Sequence, residues 1–178
     1  MRSLANFILF QLGWCVAVLY PGTLAALVLL GIVAVHLLLI SAFPLRELRF
    51  IIMVTVLGSV LDVVHRTSGV LDFPGYVGAY SEGMIPLWLV MLWAVFATAV
   101  NHCLYWMRNY RVILFGLPPF AGAFAYYTAE QFGAIEIGHG LLGILAIAIG
   151  WGLVYPLMVR ISIWLESIEE APLAEQRW

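Results

Sequence analysis

Six long apolar segments separated by short loops constrain this chain more than any other feature of its sequence. A helix needs about 20 mostly apolar residues to cross the hydrocarbon core of a bilayer. The predicted spans are Leu4–Tyr20, Thr23–Phe43, Phe50–His65, Met84–Met107, Val112–Gln131 and Gly138–Val159. We therefore expect an all-α integral membrane protein, built as a compact bundle of six transmembrane helices.

The composition agrees with this fold and excludes several classes of protein. Hydrophobic residues make up 64% of the 178 residues and charged residues only 10%, whereas about a quarter of an average soluble domain is charged. A soluble fold of this size cannot bury so much apolar surface. The net charge is -2, so the chain has no basic patch for nucleic acid. Runs such as Leu24–Ile40 lack the alternation of a membrane β-barrel strand.

The loops predict one domain over residues 1–165 and a short cytoplasmic tail over residues 166–178. Short links force neighbouring helices to run antiparallel. One connection is longer, from about Arg66 to Gly83. Its aromatic residues Phe73, Tyr76 and Tyr80 are typical of a membrane interface. We expect this connection to lie on the membrane surface rather than to form a domain.

The arginines predict the orientation of the bundle. When the N-terminus is placed in the cytoplasm, seven of the eight arginines fall on the inner side and only Arg66 falls outside. Arginine-rich loops stay in the cytoplasm during membrane insertion. Both termini are therefore expected in the cytoplasm, and the long connection on the outer side.

Asp62 is the only acid well inside a predicted span, where a charge costs about 2.5–3.5 kcal/mol at the bilayer centre. It shares one helical face with Thr55 and Gly58, and His65 and Arg66 follow it by three and four residues. One interpretation is a local ion pair that anchors the helix end. The other is a catalytic or proton-handling carboxylate.

Four residues are the candidates for a functional site: Asp62, His65, Glu130 and His102. The first three are predicted near the outer side of the bundle, where they form either a site or the ordinary solvated end of a helix bundle. His102 lies near the inner end of the fourth span, and it either bonds to a neighbouring helix or has a function. Serine-hydrolase motifs, P-loops and zincin motifs are absent from the sequence.

The four histidines raise the question of haem. His36 and His102 are predicted at a similar inner depth, and His65 and His139 near the outer ends of their helices. Two pairs at two depths resemble the layout of bis-histidine membrane cytochromes. Four histidines match in depth easily by chance, so we expect no haem, no other cofactor and no metal.

Small residues predict close contacts between helices. Gly143, Ala146 and Gly150 form a seam on the sixth span, and Gly122 lies in a small-residue stretch of the fifth. Small residues allow helix backbones to approach each other in a membrane. Leucine at Gly143 or Gly150 is therefore expected to push the sixth helix off its neighbour.

A series of short motifs runs in order along nearly the whole chain. They are Asn6-Phe7 with Gln11-Leu12-Gly13-Trp14; Gly58 with Asp62; Gly69-Val70-Leu71 with Phe73-Pro74; Pro86-Leu87-Trp88 with Leu92-Trp93 and Phe96-Ala97; His102 with Trp106; Ala125-Tyr126-Tyr127 with Gly133-Ala134; and Trp151 with Pro156. In this order they resemble the bacterial membrane protein family called domain of unknown function 2878. The resemblance implies a small multi-pass protein of the bacterial inner membrane, without an established activity.

The resemblance also implies a context, because members of this family accompany enzymes that modify membrane fatty acids, such as cyclopropane-type synthases. The leading hypothesis is therefore an accessory protein in lipid or fatty-acid modification, with a lipid-modifying enzyme as partner. A second hypothesis is an integral enzyme with an outer-side site around Asp62, His65 and Glu130. A third is a small proton-coupled transporter that uses Asp62.

Overall fold

The computed structural model describes residues 2–75 and 84–175, with side chains as far as Ile168. The predicted interface residues Tyr76 and Tyr80 and the end of the predicted tail lie outside the described residues. The α-helices are α1 (Arg2–Leu19), α2 (Thr23–Val35), α3 (Pro44–Thr67), α4 (Leu87–Val100), α5 (Arg111–Gln131) and α6 (Leu141–Glu175). The remaining elements are a π-helical turn (His36–Ile40), a 3₁₀ helix (Tyr105–Asn109), β1 (Leu71–Asp72) and β2 (Glu136–Ile137).

Five helices are long and apolar enough to cross a membrane. They are α1, α2 together with its π-helical turn, α3, α5 and the Leu141–Ile168 part of α6. The predicted number of helices is therefore confirmed within the described residues, and five of them have spanning length. The exception is α4, which has 14 residues and is about 21 Å long, against a hydrocarbon core of about 30 Å.

The short helix α4 forms the centre of the bundle, where α1, α2 and α3 all pack against it. It ends at Val100, before the predicted end at Met107, and the chain continues into turns and the 3₁₀ helix. Irregular backbone at membrane depth is tolerated where protein covers it. Here the amide oxygen of Asn6 accepts a bond from the Cys103 N–H at 3.3 Å, and Ser162 donates to Asn101 at 2.6 Å. Asn6 thus satisfies one backbone N–H that the end of α4 leaves open, and Ser162 holds the Asn101 side chain.

Two helices are longer than predicted. Helix α3 begins at Pro44 rather than at Phe50, because proline is well suited to the first helical position, where its missing N–H is not needed. Helix α6 continues without a break past Val159, the predicted end of the last span. Its extension is joined to the 3₁₀ helix by an ion pair between Arg108 and Glu166 at 3.1 Å.

Two very short strands close one end of the bundle, and the sequence did not predict them. Strand β1 follows α3 and pairs antiparallel with β2, which lies in the link between α5 and α6. The Gly138 N–H donates to the carbonyl of Val70 at 3.0 Å. A Cβ at Gly138 would lie 2.0 Å from the Gly69 carbonyl oxygen, so only glycine fits there.

The predicted seam of the sixth span divides into two different contacts. A Cβ at Gly150 would lie 2.8 Å from Leu61 and 3.2 Å from His65, so this glycine does face a neighbouring helix, α3. A Cβ at Gly143 would instead lie 2.1 Å from the carbonyl oxygen of Gly138, in the turn before its own helix. The close helix contact is confirmed for Gly150, and Gly143 serves the turn.

Candidate functional site

Asp62 lies at the junction of three helices and is completely buried. One carboxylate oxygen accepts a hydrogen bond from the indole N–H of Trp93 on α4, and the other accepts one from the Tyr126 hydroxyl on α5, each at 2.6 Å. The Nδ1 atom of His65 lies 3.8 Å from the second oxygen. Short bonds to an ionised acceptor are among the strongest in proteins. The carboxylate therefore ties α3 to α4 and α5.

The sequence indicated a local ion pair of Asp62 with His65 or Arg66, and His65 does lie 3.8 Å from the carboxylate. Arg66, the other expected partner, donates to the carbonyl oxygen of Met84 and lies over the ring of Phe73, 5.2 Å from its centroid. The hydrogen bonds of Asp62 instead reach across the bundle to helices that are distant in sequence. Asp62 acts as a tertiary anchor rather than as a cap of its own helix end.

Two glycines allow the aromatic side chains around Asp62 to pack closely. A Cβ at Gly58 would lie 2.1 Å from the indole of Trp93, and a Cβ at Gly122 would lie 2.1 Å from the indole of Trp151. Gly58 precedes Asp62 by four residues, and Gly122 precedes Tyr126 by four, so each glycine lies one helical turn from an anchor residue. The rings of Trp93 on α4 and Trp151 on α6 stack with their centroids 5.0 Å apart. We call Trp93, Phe96, Tyr126, Trp151 and Tyr155 the aromatic cluster.

The aromatic cluster forms one wall of a cavity of about 470 Å³. Its lining comes from α1, α4, α5 and α6, and is apolar except for a few groups such as Gln11 and Thr128. Gln11 on α1 and Ala121 and Phe124 on α5 line the cavity and are also exposed at the side of the bundle. The cavity therefore opens between α1 and α5, at the mostly apolar outer surface of the bundle.

A second polar cluster lies near the opposite end of α3. It consists of His36 at the start of the π-helical turn, Glu47 in the first turn of α3, and His102 just after α4. We call these three residues the His–Glu–His cluster. Glu47 lies 3.7 Å from His36 and 3.5 Å from His102, measured from carboxylate oxygen to Nε2. The side chain of His36 is 1% exposed, that of Glu47 8% and that of His102 17%.

Asn6 on α1 contacts the His36 side chain of this cluster. Its amide nitrogen lies 3.2 Å from Nδ1 of His36 and donates to the Thr98 hydroxyl at 3.0 Å. The Thr98 hydroxyl in turn donates a hydrogen bond to the Val95 carbonyl at 2.7 Å. Because that hydroxyl proton is already used, the Thr98 oxygen can only accept from Asn6, which fixes the amide orientation. Nδ1 of His36 is then an acceptor, and the neutral imidazole carries its proton on Nε2, facing Glu47.

The structure brings some of the predicted site residues together and separates others. Asp62 and His65 are neighbours, whereas His102 lies at the other end of α3, beside Glu47. Glu130 accepts a bond from the Ile137 N–H at 2.8 Å and so orders the link that carries β2. The predicted common depth of His36 and His102 is correct, and their rings meet edge to face at 4.5 Å. Haem ligation would place iron between two such rings, so this contact does not fit it.

A comparison with protein families adds to this geometry. The family model described as "Protein of unknown function (DUF2878)" matches residues 3–157. The chain belongs to the DUF2878 family. No curated protein and no solved structure matches this DUF2878 chain, so the family assignment brings no activity with it.

The motifs that carried the resemblance to DUF2878 converge in space. Asn6 and His102 meet at the His–Glu–His cluster. Residues from four other motifs meet around Asp62 and the aromatic cluster, namely Gly58, Trp93, Tyr126 and Trp151. Motifs that are far apart in sequence therefore come together at two places in the bundle.

Glu47 is the residue of this DUF2878 chain that sequence reasoning missed. The sequence places it in the loop between the second and third predicted spans, where a charged residue is ordinary. The signal that could have found it is Pro44, because a proline at the first position of a helix places Glu47 in its first turn. A carboxylate there is also favoured by the positive end of the helix dipole.

Proposed function

We propose that this DUF2878 protein is a multi-pass protein of the bacterial inner membrane that binds an acyl chain of a lipid in the cavity between α1 and α5. The aromatic-lined cavity is the observation that carries the proposal. It lies beside the apolar outer surface of helices that are long enough to span a bilayer, where acyl chains are the surrounding solvent. Its volume falls in the range of ligand-binding sites in proteins.

Trp151 in the cavity wall also carries a polar group that the fold leaves unpaired. The indole nitrogen of Trp151 is buried and has no hydrogen-bond partner among the described residues. An unpaired buried N–H costs about 1–3 kcal/mol. Because the nitrogen atom itself has almost no exposed surface, Trp151 gives the cavity an apolar wall rather than a hydrogen bond.

Such a site fits an accessory role in lipid or fatty-acid modification. A protein that holds one acyl chain away from the bilayer presents it to a membrane-bound enzyme, which is the proposed partner. The proposal does not assign chemistry to Asp62, because both of its oxygens already accept bonds from side chains that build the cavity wall. The enzyme and transporter alternatives both require that carboxylate to be available.

The test measures lipid that stays bound after purification. Ala121→Phe at the mouth of the cavity is expected to reduce the lipid retained per chain, as measured by native mass spectrometry after detergent washing. Ala34→Phe is the matched control, because Ala34 is an exposed alanine on α2 that does not line the cavity. Equal lipid retention in the two variants would contradict the proposal.

A second measurement addresses the role in the cell. A deletion strain is expected to show altered acyl chains, and wild-type protein but not Ala121→Phe should restore them at equal abundance in the membrane. An unchanged lipid composition in the deletion strain, in growth and under stress, would count against the accessory role.

The proposed orientation places both termini in the cytoplasm, with the Asp62 end of α3 toward the outer side. The arginine distribution supports it, since the predicted topology puts seven of the eight arginines on the inner side and Arg66 on the outer side. Reporter fusions at residue 178 and within residues 76–83 should report opposite sides of the membrane. A reporter signal from the periplasm at residue 178 would overturn this orientation.

A further inference from the structure

The His–Glu–His cluster contains buried polar atoms that the protein itself leaves unpaired. Among the described residues, Nε2 of His36 and Oε1 of Glu47 have no hydrogen-bond partner. They lie 3.7 Å apart, beyond the 2.7–3.2 Å of an N–H···O bond. A buried carboxylate is costly unless it is hydrogen-bonded, paired or bound to a metal. The cluster therefore lacks something that would satisfy both atoms.

We propose that His36, Glu47 and His102 bind one divalent transition-metal ion of the zinc class. Each residue offers one ligand atom, and these three atoms lie within 4.8 Å of one another. With metal–ligand bonds of about 2.0–2.2 Å, two ligands of a tetrahedral zinc ion lie roughly 3.3 Å apart. The two imidazoles lie 3.7 and 3.5 Å from different oxygens of Glu47. With one ligand atom from each residue the spread is up to 4.8 Å, so binding draws the ligands together by up to about 1.5 Å.

The donor set selects the class of metal. Two imidazoles and one carboxylate suit zinc and its first-row neighbours, whereas magnesium and calcium prefer oxygen ligands throughout. Three protein ligands also leave a fourth position open, which is the pattern of metal sites that bind an exchangeable molecule rather than of purely structural sites. His102 is the most exposed of the three ligands, so the open position is expected on its side.

The local backbone is suited to such a site. His36 begins the π-helical turn that ends α2, a few residues before the first turn of α3 that carries Glu47. The three ligands come from three different elements, so a bound ion would join α2, α3 and the segment after α4. The site is independent of the proposed acyl-chain cavity, whose lining includes none of its ligands.

Asn6 makes a specific prediction about how the ion binds. Metal on Nε2 of His36 moves the imidazole proton to Nδ1, and a ligating histidine normally donates that proton to an acceptor. The amide nitrogen of Asn6 now faces Nδ1, at 3.2 Å. Metal binding therefore requires the Asn6 amide to turn its oxygen toward His36, which gives up the bond to the Thr98 hydroxyl and the bond from the Cys103 N–H. Asn6 is a positioning residue for the metal.

The direct test uses the full chain without an affinity tag, stripped with a chelator and then titrated with zinc or cobalt. One ion per chain is expected by elemental analysis, together with a rise in melting temperature on adding zinc. Glu47→Gln should weaken zinc binding at least 100-fold. The matched control is His139→Gln, which alters an exposed histidine at the other end of the bundle and should leave zinc binding unchanged.

If the Glu47→Gln variant fails to fold, zinc binding by the wild-type protein still tests the proposal. Less than one zinc ion per stripped wild-type chain, or no zinc-dependent rise in melting temperature, would overturn the proposal. So would equal zinc affinity in Glu47→Gln and His139→Gln. Either result would mean that Glu47 is held by the two histidines alone.

Asn6→Asp tests the positioning role separately. A carboxylate at this position accepts the Nδ1 proton without any rotation, so zinc affinity should rise, by about 10-fold. The cobalt absorption spectrum should keep its shape, since the three ligands are unchanged. A lower affinity or an altered spectrum would contradict the assigned role of Asn6.

Discussion

Helix α3 carries two buried carboxylates with opposite surroundings. Asp62 and Glu47 are fifteen residues apart (62 − 47 = 15), which is about 22 Å along a helix. Both oxygens of Asp62 accept short bonds from Trp93 and Tyr126. Glu47 has an oxygen without a hydrogen-bond partner and only distant histidine neighbours within the described part of the chain.

The difference separates a structural anchor from a candidate binding site. A completely buried carboxylate whose two oxygens each accept a strong bond from a neighbouring helix stabilises one arrangement of helices and is closed off from ligands. A buried polar group whose bonds are incomplete is costly until a ligand arrives. In the sequence, Asp62 stands out because it is the only acid well inside a predicted span, about one turn from its outer end. In the structure, Glu47 is the carboxylate whose hydrogen bonds are incomplete.

The largest expected effect comes from Gly58, which lets Trp93 reach Asp62. Gly58→Ala would force the indole away and break its bond to the carboxylate, so we expect a loss of about 3–4 kcal/mol in the free energy of unfolding. Gly31→Ala is the control, because a Cβ there meets nothing within 4 Å. Melting in detergent provides the measurement, and equal melting temperatures of the two variants would contradict the close packing.

A direct comparison of the two carboxylates replaces each with leucine in metal-free protein. Asp62→Leu leaves two buried donors unpaired and should cost about 3 kcal/mol. Glu47→Leu removes a carboxylate that lacks good partners, so its effect should stay within about 1 kcal/mol. Chemical denaturation of both variants checks the ranking. The reverse order would show that Glu47 is the anchor.

Tyr126→Phe tests one of the two bonds to Asp62. Loss of a hydrogen bond to a charged group costs about 1.5–3 kcal/mol, and we expect a value near the lower end because the bond from Trp93 remains. Tyr127→Phe is the matched control, since Tyr127 is the next residue and its side chain is exposed. Equal stability of the two variants would mean that the Tyr126 hydroxyl contributes nothing to the anchor.

The smallest expected effect is the coupling between Asp62 and Arg66. Because Asp62 is held by Trp93 and Tyr126, the effects of Asp62→Asn and Arg66→Gln should add to within about 0.5 kcal/mol. Asp62→Asn combined with Tyr126→Phe should deviate from additivity by more than that. Double-mutant cycles measured by denaturation give both values. Strong coupling to Arg66 would restore the local ion pair that the sequence indicated.

Much of the fold follows from local properties of the chain. Long apolar segments, prolines and glycines located the six helices, and Gly150 was correctly identified as a close contact with a neighbouring helix. The errors lie at helix ends. Helix α4 ends early because Asn6 and Ser162 supply bonds to the backbone and side chains that follow it, and apolar composition carries no information about such partners.

The candidate sites also combine features that follow from the sequence with features that only the packed structure shows. Sequence alone determined that Asp62 must face the protein interior and that His36 and His102 lie at one depth, since both follow from helical spacing and from the cost of polar groups in lipid. Only the tertiary structure decided which partners each group meets. Trp93 and Tyr126 are 31 and 64 residues from Asp62, and Glu47 meets His102 across a helix interface. The energy of burying a helix face depends on its composition and on the spacing of its apolar residues, which the sequence shows. A hydrogen bond or metal site depends on atomic positions within a fraction of an ångström, and only the packed helices define those.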